Sequence, residues 1–210
     1  MDIILSVNNL NFKDIISYPK IEIERNKATF ICGQSGCGKS TLLKLFNVTA
    51  SSTKGEITYN GNLIDSLDSI ELRKEITLVS QTVFLFDGTI EDNFNQYYMY
   101  RSLPALSAKD MKKYLSLCCA DFDLETKCET MSGGERQRVF VAICLSFMPK
   151  VLMLDEPTSA LDESTAKRFF TNIKYYCSDN NITLIVISHD KGLANVFADN
   201  IVKLEKRLSI

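Results

Sequence analysis

The feature that most constrains this chain is a glycine-rich stretch between two apolar segments, residues 29–46, with the sequence TFICGQSGCGKSTLLKLF. It satisfies the pattern G-x-x-x-x-G-K-[ST] through Gly33, Gly38, Lys39 and Ser40. The residues before it have strand character, and those after it have helical spacing. Glycines let backbone N–H groups close around an anion, and the helix that follows directs its N-terminus at the same place. The sequence therefore predicts a loop that holds the phosphates of a nucleoside triphosphate.

Each position of this loop has an expected part in binding. Lys39 would neutralise the β- and γ-phosphates, and the Ser40 hydroxyl would be a ligand of Mg²⁺. A nucleophile elbow, G-x-S-x-G, is excluded because Cys37 stands where the last glycine should be. The residues of the loop predicted to contact the nucleotide are Gly33, Gln34, Ser35, Gly36, Cys37, Gly38, Lys39, Ser40 and Thr41.

Composition narrows the class of protein without naming it. A formal net charge of −2 gives no electrostatic reason to expect nucleic acid as a partner. Seven cysteines, with no metal-type C-x-x-C pairs, favour buried free thiols in a reducing compartment. No apolar run approaches the ~18 residues of a membrane-spanning helix, and the first residues are too polar for a signal peptide. We expect a cytosolic protein, and docking on a membrane protein remains compatible with that.

The distribution of strands and helices predicts an α/β fold. Two nearly continuous apolar strands, in KVLMLDE and NITLIVISHD, are typical of a parallel sheet buried on both faces. GEITYNG predicts a strand that ends in an Asn-Gly turn, within an antiparallel N-terminal β portion. Residues from about 89 to 147 show helical patterns only. We predict one domain, 1–210, with a core of about 1–88 and 148–210 and an inserted helical subdomain of about 89–147.

Three acidic or basic side chains follow predicted strands of this core. Asp155 and Glu156 end the strand VLMLDE, where one carboxylate can hold Mg²⁺ and the next can polarise the attacking water. His189, the chain's only histidine, follows the strand TLIVIS. Because carboxyl ends of parallel strands share one sheet edge, we expect His189 to reach the γ-phosphate.

A second glycine-containing helix start lies at MSGGERQRVFVAICL. Ser132 and Glu135 have the spacing of a capping box, which alone would indicate only a well-formed helix start. Gly133 and Gly134, however, cost up to about 1 kcal/mol each relative to alanine in a helix. A helix start that brings bare backbone N–H groups against a phosphate would justify that cost.

Together these motifs make the chain resemble the ATP-binding cassette (ABC) ATPases, from about Ile3 to Leu204. The resemblance rests on GQSGCGKST, LVSQ, MSGGERQR, VLMLDEPTSALD and SHD, which occur in the family's order. It implies a head-to-tail dimer around two ATP molecules, each held by one subunit's phosphate loop and the other's Ser132 and Gly134. It also implies that Gln81 reaches the Mg²⁺ and the water, and that residues 159–162 cross the dimer interface.

This chain departs from the family's pattern at a few positions. Met131 replaces a leucine and Glu135 a glutamine. The family stacks adenine on an aromatic residue in a region that is several residues short here. Phe12 is the first candidate for that role and Tyr18 the second. The presence of Glu156 indicates a hydrolytically competent site.

The resemblance leaves two functional classes. One is the motor subunit of a membrane transporter with a separate permease chain, as a homodimer or heterodimer on the cytoplasmic face of the membrane. The other is a soluble ABC ATPase in cofactor assembly or another cytosolic process. The apolar run Val83–Phe86 after Gln81 favours a groove for a permease helix, although packing inside the helical lobe would also explain it. The run LFDGTI resembles exporter cassettes more than importer ones, which slightly favours export. The short chain, with FMPKVLMLDEPTSALDES, is also similar to small stand-alone cassettes associated with metal export. A small kinase would have no use for the SGGE helix start.

Overall fold

The computed structural model describes residues 1–205 as two sheets with helices between and around them. Ten strands are assigned in this range: β1 Ile3–Phe12, β2 Ile16–Ser17, β3 Ile21–Glu24, β4 Ala28–Gly33, β5 Lys54–Tyr59, β6 Asn62–Leu63, β7 Ile76–Val79, β8 Val151–Asp155, β9 Thr183–Ile187 and β10 Asn200–Leu204. Seven α-helices accompany them: α1 Lys39–Phe46, α2 Ser69–Glu75, α3 Ile90–Tyr100, α4 Ala108–Leu117, α5 Gly133–Ser146, α6 Glu163–Asp179 and α7 Lys191–Phe197.

The larger part of the core is built on a parallel sheet of order β10-β4-β9-β8-β7. Strands β8 and β9 are buried along their whole length, as their continuous apolar sequences predict. In register, Asp155 pairs with Ile187, and Ile187 pairs with Ile31. The ends of β8, β9 and β4 therefore lie side by side at one edge of the sheet.

The N-terminal sheet is antiparallel, with order β2-β1-β5-β6 and β3 also paired with β1. The strand predicted in GEITYNG is β5, and it turns into β6 at Asn60 and Gly61. Both turn residues have positive φ (51° and 77°), the requirement of the tight hairpin turn that an Asn-Gly pair favours.

Two hydrophobic cores share the parallel sheet. Phe30 belongs to the core that contains buried side chains of α3, α4, α5 and α6, whereas its neighbour Ile31 belongs to the core that contains α1 and the antiparallel sheet. This alternation follows from the pleat of β4, which directs successive side chains to opposite faces. The helices α3, α4 and α5 all fall within the segment predicted to be helical.

All seven cysteines are free thiols, and only Cys32 is partly exposed. Burial raises the pKa of Cys144 and of Cys177 to about 12, so both stay protonated in the core. The expectation of buried free cysteines is confirmed. Within residues 1–205, no helix has the length and apolar character needed to cross a bilayer.

Candidate nucleotide site

The phosphate loop joins β4 to α1, as predicted. Gly36 and Gly38 have φ of 76° and 95°, in the left-handed region that favours glycine, and Gly38 is the N-cap of α1 without a side-chain cap. A Cβ at Gly33 would lie 2.4 Å from the Leu204 carbonyl oxygen, so no side chain fits there. A Cβ at Gly36 would meet nothing within 4 Å. The loop is thus packed at its base and open at its tip.

Lys39 begins α1 with a buried side chain that turns back into the loop. Its Nζ donates hydrogen bonds to the carbonyl oxygens of Gly33 (2.9 Å) and Gln34 (3.0 Å). The ammonium group therefore lies inside the ring of backbone formed by the loop. A lysine in this position places its positive charge where the loop would enclose an anion.

Next to Lys39, a hydroxyl group and a carboxylate come together. The Ser40 side chain hydrogen-bonds the carboxylate of Asp155, the last residue of β8. Burial raises the pKa of Asp155, the Ser40 bond opposes this, and the charge of Glu156 adds to it. Hydroxyl and carboxylate oxygens are the ligands that a hard cation such as Mg²⁺ prefers. The donor set thus fits the predicted metal, with Asp155 an oxygen ligand whose charge lacks full solvation.

Glu156 lies at the centre of a second polar group. Its Oε1 is 2.7 Å from His189 Nε2, and its Oε2 accepts a hydrogen bond of 3.4 Å from Gln81 Nε2. Its backbone has φ 52°, and its N–H donates to the Ile187 carbonyl oxygen (3.1 Å). A glutamate seldom adopts this left-handed conformation. The structure thus brings together Glu156, predicted to act on the attacking water, His189, predicted to reach the γ-phosphate, and Gln81, predicted to reach the Mg²⁺ and the water.

The second predicted glycine helix start is α5, and its capping box is present. Ser132 Oγ accepts from the Glu135 N–H (3.4 Å), and Glu135 Oε2 accepts from the Ser132 N–H (2.8 Å). Ser132 and Gly133 are exposed, and a Cβ at Gly133 would meet nothing within 4 Å. A Cβ at Gly134, by contrast, would be 2.9 Å from the Cβ of Ala160, in the predicted interface loop 159–162.

The two aromatic candidates for stacking differ sharply. Tyr18 is buried, and its hydroxyl donates to the Gly38 carbonyl oxygen (2.9 Å), while burial raises its pKa. Its ring supports the phosphate loop and is not free to stack on a base. Phe12 is half-buried at the end of β1, where it pairs with Ile16, whose side chain would contact a Cβ at Gly38. Of the two aromatic residues, Phe12 is therefore the better candidate for stacking on the base.

Three residues support the site through contacts that the sequence did not predict, and Tyr18 is one of them although it was named only as a stacking candidate. Besides Tyr18, these are Gln137, whose Nε2 donates to the Asp155 carbonyl oxygen (3.3 Å), and Arg138, which donates to the Gly134 carbonyl oxygen (3.3 Å). Gln137 is almost fully buried on the face of α5 that carries Val141 and Cys144. A polar residue at a helix position facing the core was the signal in the sequence.

A cavity of about 840 Å³ opens beside the phosphate loop. It shares Gly33, Gln34 and His189 with the candidate site and extends along α7 and β10, past Lys191 and Lys203. Neither Lys39 nor Asp155 lines it. The cavity therefore adjoins the candidate site but does not include its central residues Lys39 and Asp155.

Comparison with known proteins addresses the family directly. The family model described as "ABC transporter" matches residues 17–159, more than half of the chain. The chain belongs to the ABC transporter family. ATP-binding proteins of this family are ATPases, and this chain is therefore an ATPase.

Relatives named for different transport functions match this chain over most of its length. It is 34% identical over 202 residues to the probable iron export ATP-binding protein FetA of Escherichia coli, covering 95% of this chain and 84% of that one. It is 30% identical over 197 residues to the glutamine transport ATP-binding protein GlnQ of Bacillus subtilis, covering 91% and 81%.

A solved structure of a bacterial cassette agrees with the fold. The dimeric structure of MJ0796, a bacterial ABC transporter cassette, superposes with a TM-score of 0.82 at 25% identity, covering 96% of this chain and 94% of that one. Cassettes of this family work as dimers with membrane permease partners. The predicted α/β fold, a phosphate-loop (P-loop) NTPase core with a mostly parallel sheet and an antiparallel N-terminal β portion, is confirmed.

Proposed function

We propose that this chain is the ATP-hydrolysing motor subunit of a membrane transporter whose permease is a separate chain. The observation that carries the proposal is the meeting of Lys39, Asp155, Glu156 and His189 at one sheet edge, together with an exposed aromatic surface a few residues after Gln81. The four side chains supply the chemistry of ATP hydrolysis. The aromatic surface supplies the contact through which a conformational change of the ATPase reaches the permease.

In the proposed reaction, the phosphate loop binds ATP through its backbone N–H groups and Lys39. Ser40 and Asp155 would hold Mg²⁺ with Gln81, and the bound metal would neutralise charge on the phosphate oxygens. Glu156 accepts the proton of the attacking water, because its carboxylate is held by Gln81 and faces the edge where the γ-phosphate would lie. His189, hydrogen-bonded to Glu156 Oε1, orients that carboxylate and contacts the γ-phosphate.

The site of one chain is incomplete without a second. Gly133 and Gly134 place their backbone N–H groups in the first turn of α5, beside the exposed Ser132, whose own N–H is bonded to Glu135. We propose that two cassettes, as a homodimer or heterodimer, each complete the other's site with this helix start. Phe12 stacks on the base in this arrangement.

The permease docks on what we call the aromatic patch, which consists of Phe84, Phe86, Tyr97 and Tyr100. Phe86 contacts the rings of Phe84 (4.8 Å between centroids), Tyr97 (5.4 Å) and Tyr100 (5.8 Å). Phe84 is 63% exposed and Tyr100 is 62% exposed. Leu85, in contrast, is buried and Val83 is partly buried against the core, so packing explains only half of the apolar run. Clustered exposed rings mark an interaction surface.

With this partner, the chain lies in the cytoplasm, peripheral on the inner face of the cell membrane. For the direction of transport, we favour export slightly over import. The tagged chain should recover a polytopic membrane protein in roughly equal amount from detergent-solubilised membranes of its own cell. The double variant Phe84→Ser/Tyr100→Ser should lose that partner. Tyr175→Ser, which changes an equally exposed ring on α6, should keep it.

Two results would contradict the proposal. Recovery of soluble partners alone would favour a cytosolic process such as cofactor assembly. Equal recovery of the membrane protein by the double variant and by wild type would show that docking occurs away from the aromatic patch.

A further inference from the structure

The loop that carries the aromatic patch is bonded to the segment that leads into α5. We call residues 83–89 the docking loop and residues 124–129 the pre-signature segment. The Gly88 N–H donates to Glu129 Oε1 (2.8 Å), and the Cys128 N–H donates to the Gly88 carbonyl oxygen (2.9 Å). Thr89 and Lys127 form an antiparallel bridge. The two segments are therefore held together by a short ladder of hydrogen bonds.

Arg136 joins this ladder to α5. One guanidinium nitrogen donates to the Cys128 carbonyl oxygen (2.7 Å), and the other donates to the Leu85 carbonyl oxygen (3.2 Å). On its own helix, the Arg136 N–H donates to the Ser132 carbonyl oxygen (3.0 Å). One half-buried residue thus contacts the docking loop, the pre-signature segment and Ser132. A planar guanidinium holds two acceptors in fixed geometry, which a flexible ammonium does not.

The docking loop is itself stiffened from the opposite side. The buried side chain of Asn93 on α3 accepts from the Phe86 N–H (2.8 Å) and donates to the Phe86 carbonyl oxygen (3.0 Å). Tyr97 donates to the Phe84 carbonyl oxygen (2.8 Å). These hydrogen bonds hold the backbone of the docking loop at Phe84 and Phe86 against α3.

We propose that Arg136 is a positioning residue that couples the docking loop to the start of α5. Seating of a permease helix on the patch then shifts Ser132, and closure of the ATP site around Ser132 shifts the docking loop. The coupling is reciprocal by thermodynamic necessity. The inference rests on the proposed function, since the patch has a mechanical role only if a permease binds there.

Because of that reciprocity, the test needs no permease. Amide hydrogen exchange of residues 84–89 would be measured with and without MgATP on the full chain, in a Glu156→Gln background that retains nucleotide. We expect MgATP to slow exchange there at least fivefold, and Arg136→Gln to remove most of that change. Arg73→Gln is the matched control, because Arg73 also donates to two backbone carbonyls, of Asn47 (3.2 Å) and Val48 (2.9 Å), within the catalytic core.

Two further variants keep the test decisive if Arg136→Gln folds poorly. Arg136→Lys should retain part of the response, because one ammonium reaches one carbonyl at a time. Glu129→Gln, an exposed change, should weaken the response through its bond to Gly88. The proposal would be overturned by an unchanged MgATP response in a folded Arg136→Gln variant, or in both other variants where Arg136→Gln does not fold. Absence of any response in the Glu156→Gln chain with Arg136 intact would overturn it as well. No permease takes part in this test. Failure to recover a membrane partner would contradict the proposed function, whereas the exchange measurement would still decide whether Arg136 couples the docking loop to α5.

Discussion

The starts of α1 and α5 are both glycine-containing helix N-termini, yet they are built in opposite ways. At α1, Gly33 and Gly38 lie against the rest of the chain. Lys39 donates into the loop, and the Tyr18 hydroxyl donates to the Gly38 carbonyl oxygen. At α5, Ser132 and Gly133 face outward and are capped only by Glu135. The first is a phosphate loop whose internal contacts all come from one chain, whereas we propose that the second contacts the nucleotide of a partner subunit.

The largest expected effect comes from a substitution that lies outside both helix starts. Glu156→Gln keeps both of them and removes only the proton acceptor, so turnover should fall about 1,000-fold. ATP binding and the ATP-dependent dimer should persist, which phosphate release and gel filtration with MgATP would measure. Glu163→Gln, which alters an exposed pair with Lys167 on α6, is the control. Near-normal turnover in Glu156→Gln would remove Glu156 from the role of base.

The next test separates an inward from an outward glycine on the same helix. Gly134→Ala brings a Cβ to within 2.9 Å of Ala160 and should lower the free energy of unfolding by about 1–2 kcal/mol. Gly133→Ala meets nothing in its own chain and should fold normally. Its methyl group would instead enter the proposed dimer interface, so turnover should fall about tenfold or more at unchanged ATP affinity.

Urea unfolding and steady-state kinetics would measure both glycine variants. If Gly133→Ala were as active as wild type, the start of α5 would not form half of a shared site. The contrast between an inward-packed and an outward-facing glycine would then have no functional meaning.

A smaller effect should appear at Asp155, in stability and not in activity alone. Burial raises its pKa, so the native state holds a proton that the unfolded state releases near its ordinary pKa of about 3.9. Stability therefore falls as the pH rises through the raised pKa. Asp155→Asn should be more stable than wild type by about 1 kcal/mol at neutral pH, while Mg²⁺-dependent turnover is lost.

The difference in unfolding free energy between Asp155→Asn and wild type should shrink as the pH approaches 4. Urea unfolding across this range, with both chains in the same buffers, would measure it. A constant difference at every pH would show that the Asp155 carboxyl does not carry a raised pKa.

The smallest expected effect tests the internal support of α1. Tyr18→Phe removes the bond to the Gly38 carbonyl and should cost about 1 kcal/mol of stability, with a severalfold weaker affinity for ATP. Tyr97→Phe removes a comparable bond, to the Phe84 carbonyl, far from the phosphate loop in sequence, and should leave ATP affinity unchanged. Calorimetric titration with ATP would compare them. Equal ATP affinities in the two variants would mean that Tyr18 packs beside the loop without supporting it.

Much of the fold followed from local patterns in the sequence. The continuous apolar strands β8 and β9 are buried on both faces, and the Asn60-Gly61 turn forms, because strand burial and turn chemistry depend on a few neighbouring residues. The expected neighbours Glu156 and His189 meet because parallel strands present their carboxyl ends at one edge. The supporting contacts of Tyr18, Gln137 and Arg138 escaped prediction, since each side chain donates to a backbone carbonyl, a group that every residue carries.

The sequence by itself determined the chemistry of this protein: a phosphate loop, a carboxylate pair after a strand and a glycine helix start, each defined by residues within a dozen positions. Only the tertiary structure decided which residues face inward and which outward. It buried Tyr18 beneath the loop, exposed Phe84 and Tyr100 on one surface, and placed Arg136 between the docking loop and Ser132. The physical reason is that hydrogen bonds to backbone and the exposure of a side chain depend on segments distant in the chain, which packing alone brings together.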